Sequence, residues 1–174
     1  PAYRDKFWQV WQMLTAFNQH MAAVFLAAWV IYLDESMSIW HNRLTCPGWI
    51  FCLQKPHPYG NGYHTACCAL CRILFVMELV EGEARHRKLG PQEFENLGRK
   101  TVGLLLRCME SYFASGRYVV LDSGFCVLEG IVELRKRGVF AAALIKKRRY
   151  WHTKVPGNAM QQLFNEEGMK VGDT

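Results

Sequence analysis

The sequence predicts an α/β domain on a mixed sheet, with three antiparallel strands, then a βαβ unit, and helices flanking the sheet. Three observations carry this expectation. First, a short buried-type strand over 118–121 is broken by Asp122, Ser123 and Gly124; an amphipathic stretch over 125–137 ending at Gly138 then leads into a second apolar strand over 139–145. Second, residues 5 to about 28 carry apolar groups at helical spacing, and β-rich runs follow before residue 80. Third, 174 residues with 51% hydrophobic content can bury one real core but not two.

The elements follow in order. Phe7, Trp8, Trp11, Leu14, Phe17, Met21, Val24 and Phe25 give the rhythm of a packing helix. Residues 29–33 turn β-rich and run straight into Asp34 and Glu35, which puts Asp34 at the end of the first strand. A turn at Pro47 and Gly48 leads into a second strand over 49–53. Residues 55–62 are dense in proline and glycine and are expected to be a loop. Residues 66–80 supply one or two further strands. A linker ending at Gly90-Pro91 precedes a helix from about 92 to 115, with Leu97, Thr101, Leu104, Leu105, Cys108, Met109 and Tyr112 on one side and Gly116 suited to end it. The two strands around 125–137 should be parallel and joined by a right-handed crossover. In open α/β sheets ligands gather outside the carboxyl ends of the strands, where Asp122 sits. Residues 159–168 can form a short helix, but nothing after it completes a fold, so the sequence is expected to be a C-terminally incomplete piece of a longer protein. Its expected organisation is an N-terminal packing helix region over 1–28, a core over 29–158, and the truncated start of a following region over 159–174.

The formal net charge is +6, unevenly distributed. Between Glu133 and Arg149 lie Arg135, Lys136, Arg137, Lys146, Lys147, Arg148 and Arg149 against a single acid. That local field suits a polyanion, and a solvated basic face is the alternative. The longest apolar run, 21–33, falls short of the roughly 18 to 20 residues a membrane span needs. No signal-peptide pattern is present, so no membrane partner is expected. Seven cysteines, three of them in the apolar stretch 67–71, fit reduced thiols in an intracellular compartment. A zinc site from Cys68 and Cys71 with His57 and His64 can be drawn, but it lacks a second C-x-x-C pair.

Phosphodiester cleavage and strand transfer require an attacking oxygen to be activated and a leaving oxygen to be stabilised, which two divalent ions about 4 Å apart can do. Ions of the Mg²⁺ type take carboxylate oxygens and keep several waters, so aspartates at converging strand ends suffice. Asp34 and Asp122 each follow a β-branched or aromatic run. An aspartate after a strand is also a common turn residue capping the next element, and spacing alone leaves both readings open.

A longer series of motifs goes further. Leu33 to Trp40, then Cys46-Pro47-Gly48-Trp49, Lys55-Pro56-His57-Pro58, Leu121 to Phe125, Lys146 to Trp151 and Val155-Pro156-Gly157 together resemble the piggyBac transposase-derived family, over residues 18–174. This resemblance implies an RNase-H-like domain of the DDE transposase superfamily that cleaves and transfers DNA strands at transposon ends with Mg²⁺ or Mn²⁺. Asp34 matches the family's first aspartate and Asp122 its second. The third lies well downstream, and Asp173, in a Gly-Asp-Thr tail, lacks its surroundings. Glu35 points away from Asp34 if the strand pattern persists, which suits a supporting role more than a metal ligand. The family's cysteine-rich zinc region has no counterpart here. In this reading Lys146, Lys147, Arg148 and Arg149 contact DNA phosphates. Tyr150 and Trp151 stack on an unpaired base, with a core or inter-domain anchor as the alternative for Trp151. Transposon ends and target DNA as partners, a nuclear location and a homodimer of the full-length protein complete the expectation. The rival is a domesticated transposase-derived domain that binds DNA or protein without catalysis.

Overall fold

The computed structural model describes residues 7–46, 48–53, 55–80 and 100–145. Within them, six strands form one sheet. Helix α1 (Trp8–Val24) stops where Phe25 turns extended, and β1 (Val30–Ile39) follows. Next come β2 (Ile50–Phe51), β3 (Tyr59–Cys68) and β4 (Leu74–Leu79). Helix α2 (Lys100–Met109) tightens into a 3₁₀ turn over Glu110–Tyr112. The chain then forms β5 (Tyr118–Leu121), α3 (Leu128–Lys136) and β6 (Phe140–Ala143).

Strand β1 is central. It pairs antiparallel with β3 on one side, from Ile31 opposite Cys68 to Ile39 opposite Gly60. On its other side it pairs parallel with β5, from Val30 opposite Tyr118 to Leu33 opposite Leu121. Strand β6 continues the parallel half beyond β5. The far edge of β3 is shared, with β2 opposite Tyr59 and Gly60 and β4 opposite residues 63–67. The βαβ unit expected from residues 118–145 is therefore present, inside a mixed α/β sheet.

Alternation along the strands sorts side chains onto two faces. Ile31, Leu33, Ala66, Cys68, Val119 and Leu121 share one face and pack with Val102, Leu105, Leu106 and Met109 of α2 and Leu134 of α3 in the main core. Each fully buried aliphatic side chain of this kind contributes about 1.5 to 3 kcal/mol. Helix α2 is buried almost all round because it packs against both the sheet and α3. Gly130 makes the second contact close, since a Cβ there would lie 2.6 Å from Leu105 Cδ1. On the opposite face Phe7, Val10, Trp11 and Leu14 of the α1 region pack on Tyr63, Met77 and Leu79. The Asn18 amide fastens the helix there, donating to Met77 O at 2.8 Å and accepting from Met77 N–H at 2.9 Å.

Four expectations are corrected. Strand β1 does not end at Asp34: its parallel pairing stops at Leu33, but its antiparallel pairing with β3 carries it on to Ile39. Residues 59–62, expected in a loop, begin β3 instead. Gly60, at φ +147, lets the β3 backbone pass where any Cβ would collide with the Ser38 carbonyl oxygen, so here the glycine marks a close strand approach and not a turn. Helix α3 starts at Leu128 and not at 125, because Phe125, Cys126 and Val127 are buried in the turn that precedes it. The α-helix expected to run to 115 ends at Met109, and Gly116, at φ +67, does not cap it but donates its N–H to Gly138 O at 3.0 Å, just past the end of α3.

Candidate carboxylate site at the strand ends

Two aspartates leave the sheet side by side. The last parallel pair of β1 and β5 is Leu33 with Leu121, and the next residue on each strand is an aspartate, Asp34 and Asp122. Neighbouring strands lie about 4.8 Å apart, so the two carboxylates start from backbone positions one strand spacing apart. Leu33 and Leu121 both face the main core; strand alternation turns Asp34 to the opposite face, the face that α1 covers only over β3 and β4, and Asp122 begins the turn that ends β5. Both are exposed.

Local structure fixes each one differently. Asp34 sits inside a continuing strand; its Oδ1 accepts the Glu35 N–H at 2.7 Å, and its carbonyl accepts the Thr65 hydroxyl at 3.2 Å. Asp122 opens a tight turn in which the Phe125 N–H donates to its carbonyl at 2.9 Å. The N-cap of α3 is Val127, with no side-chain cap, so Asp122 does not cap the helix that follows. Phe125, Cys126 and Val127, buried beneath the turn, anchor it to the core.

Charge around the pair is asymmetric. The Lys55 ammonium lies 4.0 Å from Asp34 Oδ1 and donates to the Glu35 carbonyl. With the Asp34 side chain 66% exposed, this ion pair contributes about 0 to 1 kcal/mol at most. Lys55 was recognisable in the sequence only as part of the Lys-Pro-His-Pro motif; its approach to Asp34 depends on β3 returning beside β1. Glu35 lies on the other face, opposite His64 in the β1–β3 register. Its Oε1 comes to 4.0 Å from the point where a Cβ of Gly124 would sit, so it approaches the Asp122 turn from the far side of the sheet. His64 is buried against the edge of the Phe125 ring at 5.5 Å and faces Glu78 on β4. Arg107 clamps Glu78 in a two-pronged ion pair at 2.6 and 2.9 Å, so this polar row braces the core face.

Two neighbouring carboxylates facing water suit a hard divalent ion, which takes oxygen ligands and keeps open positions for water or a phosphate. Among the described residues no group of three or more His, Cys, Asp or Glu side chains is arranged to hold a metal ion, so the drawn zinc set of His57, His64, Cys68 and Cys71 is not assembled either. The predicted DNA contacts Lys146, Lys147, Arg148, Arg149, Tyr150 and Trp151, along with Asp173, lie outside the described residues. Among the described residues no helix is long and apolar enough to cross a membrane.

Comparison with known proteins bears on the family and the fold. The family model described as Transposase IS4 matches residues 1–173. A structure of a piggyBac transposase synaptic complex with hairpin DNA matches with a TM-score of 0.71 at 14% identity, covering 90% of this chain and 30% of that one. The chain thus spans about a third of that transposase's length, and the likeness establishes a shared fold. No curated protein matches significantly. The chain belongs to the Transposase IS4 family and shares its fold with a piggyBac transposase.

Proposed function

We propose that this chain is part of an RNase-H-like catalytic domain of a piggyBac-like DNA transposase, in which Asp34 and Asp122 hold Mg²⁺ or Mn²⁺ for DNA strand cleavage and transfer at transposon ends. The observation that carries this reading is the position of both aspartates on adjacent parallel strands, each one residue past the same ladder pair. Divalent ions in such a site supply activation of an attacking oxygen and stabilisation of a leaving oxygen. The chain's own part is to hold the two carboxylates at one strand spacing, with Lys55 beside Asp34 as a counter-charge. The core extends over 29–158, with 1–28 as its packing helix region and 159–174 as the start of the next region. Lys146 to Arg149 and Trp151 contact the DNA backbone and an unpaired base, and the full-length protein acts as a homodimer in the nucleus.

Among the described residues no third carboxylate joins the pair, so this chain alone is expected to bind metal weakly and not to cut DNA. The test is a cleavage assay with Mn²⁺ on a substrate carrying the element's ends. It compares this chain with a polypeptide extended C-terminally through the next acidic helix. The extended form is expected to cut, and Asp34→Asn or Asp122→Asn is expected to lower its rate by at least about a thousandfold, a barrier rise of roughly 4 kcal/mol. Cleavage by the short chain that vanishes in Asp122→Asn would place the missing ligand within these residues.

A further inference from the structure

Beyond the carboxyl half of β1, the chain builds a cluster of rings that the core does not use. Phe51 on β2 faces Tyr59 on β3 in register, ring centroids 5.3 Å apart. Trp49 stacks on the same tyrosine at 6.0 Å and 27°, and His41 approaches it at 6.2 Å. Trp40, whose N–H donates to the Tyr59 carbonyl at 3.1 Å and whose indole N–H donates to Thr45 Oγ1 at 3.1 Å, is held at the side of this group. Trp40, Phe51 and Tyr59 remain 45%, 51% and 40% exposed. Single exposed aromatics need no explanation, but a contiguous set arranged on paired strands does.

The charge around these rings is one-sided. From Ser36 to Met77 the sequence contains no Asp or Glu, while Arg43, Lys55 and Arg72 are all cationic. The Arg43 guanidinium lies over the Trp49 ring at 5.4 Å, and Lys55, from the turn between β2 and β3, lies 4.0 Å from Asp34 Oδ1. An aromatic surface whose own segment carries cations and no acid is complementary to a polyanion with flat faces. Base faces are hidden inside a duplex and available in a single strand, where stacking on aromatic side chains supplies binding without reading sequence.

We propose that Trp40, Phe51 and Tyr59, with Arg43 and Lys55, form a stacking platform for unpaired nucleotides of a DNA strand whose phosphate lies at the Asp34–Asp122 end of the sheet. This inference rests on the reading of the chain as a transposase domain. It adds a surface for unpaired DNA at the β1–β2–β3 end of the fold.

The experiment measures binding of this chain to a fluorescently labelled oligothymidylate and to a blunt duplex of equal length, by anisotropy and without divalent ions. The single strand is expected to bind more tightly than the duplex. The paired substitution Trp40→Ala with Phe51→Ala should weaken single-strand binding by at least about tenfold and change duplex binding by less than about threefold. Trp40→Tyr with Phe51→Tyr keeps the rings and should keep the affinity, which separates lost stacking from lost folding. The assay omits divalent ions and so does not call on the Asp34–Asp122 site, which keeps a failure of the metal reading distinguishable from a failure of the platform. Equal loss for single strand and duplex, or wild-type affinity in the Ala pair, overturns the proposal. So does concentration-dependent self-association through this face with no preference for the single strand.

Discussion

The two faces of the sheet carry the same strands but do different work. Along β1, Leu33 is 1% exposed beneath α2 and α3, while its neighbour Tyr32 is 45% exposed on the other face. The same split runs along β5, where Val119 and Leu121 are buried and Tyr118 is exposed. On the second face α1 covers only β3 and β4 among the described residues, and Asp34 on β1 and Asp122 after β5 are exposed. A charged group left in water avoids the desolvation penalty that a core position would impose, which is how two like charges can stand one strand spacing apart. The packed face holds the fold, and the open face can carry chemistry.

The sharpest way to break this comparison is to substitute across it. Leu33→Ala should cost about 2 to 5 kcal/mol in urea unfolding, by loss of buried surface and creation of a cavity. Asp34→Asn and Asp122→Asn should each stay within about 0.5 kcal/mol of wild type. If the aspartate variants lose as much as the leucine variant, the open face is structural and the division fails.

Next in size is the Glu78–Arg107 pair, which crosses from β4 to α2 on the packed face with side chains about one-tenth exposed. Glu78→Gln or Arg107→Met alone should destabilise by about 3 kcal/mol, because the surviving partner is left buried and unmatched. Glu78→Leu with Arg107→Met together should cost less than either single change. A double variant as damaged as the sum of the singles would mean that the pair is not buried as described.

The smallest effect contrasts two adjacent cysteines on opposite faces. Burial alone would raise the Cys68 thiol, but N–H groups of Cys71, Ala28 and Leu70 and the Cys71 side chain outweigh it and bring it down to about 7. Burial, Cys68 and Asp34 push the Cys67 thiol up. A thiol depressed in the native state stabilises once the pH exceeds its native value, and the gain is complete above the unfolded value near 8.5. Stability should therefore rise between about pH 7 and 8.5, by less than the roughly 1.4 kcal/mol per pH unit that one proton allows. Denaturation midpoints across that range should lose this rise in Cys68→Ala. The raised thiols of Cys67 and Cys108 act in the opposite direction above it, since they resist ionising in the fold.

How far the sequence predicted the structure follows from the same contrast. The βαβ unit was readable because its strand, glycine-ended helix and strand are each signalled locally. Asp122 was identifiable from a strand end, and both aspartates from motif order, while the strand end read at Asp34 was wrong. The extension of β1 past Asp34 was not readable, because it depends on a partner strand whose first residues, Tyr59 to Gly62, look like a loop. The Lys55 contact and the Trp40–Tyr59 cluster were hidden for the same reason: they are products of strand return, and nothing in the spacing from 40 to 59 announces it.

The central claim is that Asp34 and Asp122 act together on one ion, and a Mn²⁺ titration followed by electron paramagnetic resonance tests it most directly. Weak binding by the wild-type chain should fall at least about tenfold in Asp34→Asn and in Asp122→Asn, and the double variant should lose little more than either single one, because both carboxylates serve the same site. Binding that survives either substitution, or two losses that simply add, would contradict the account.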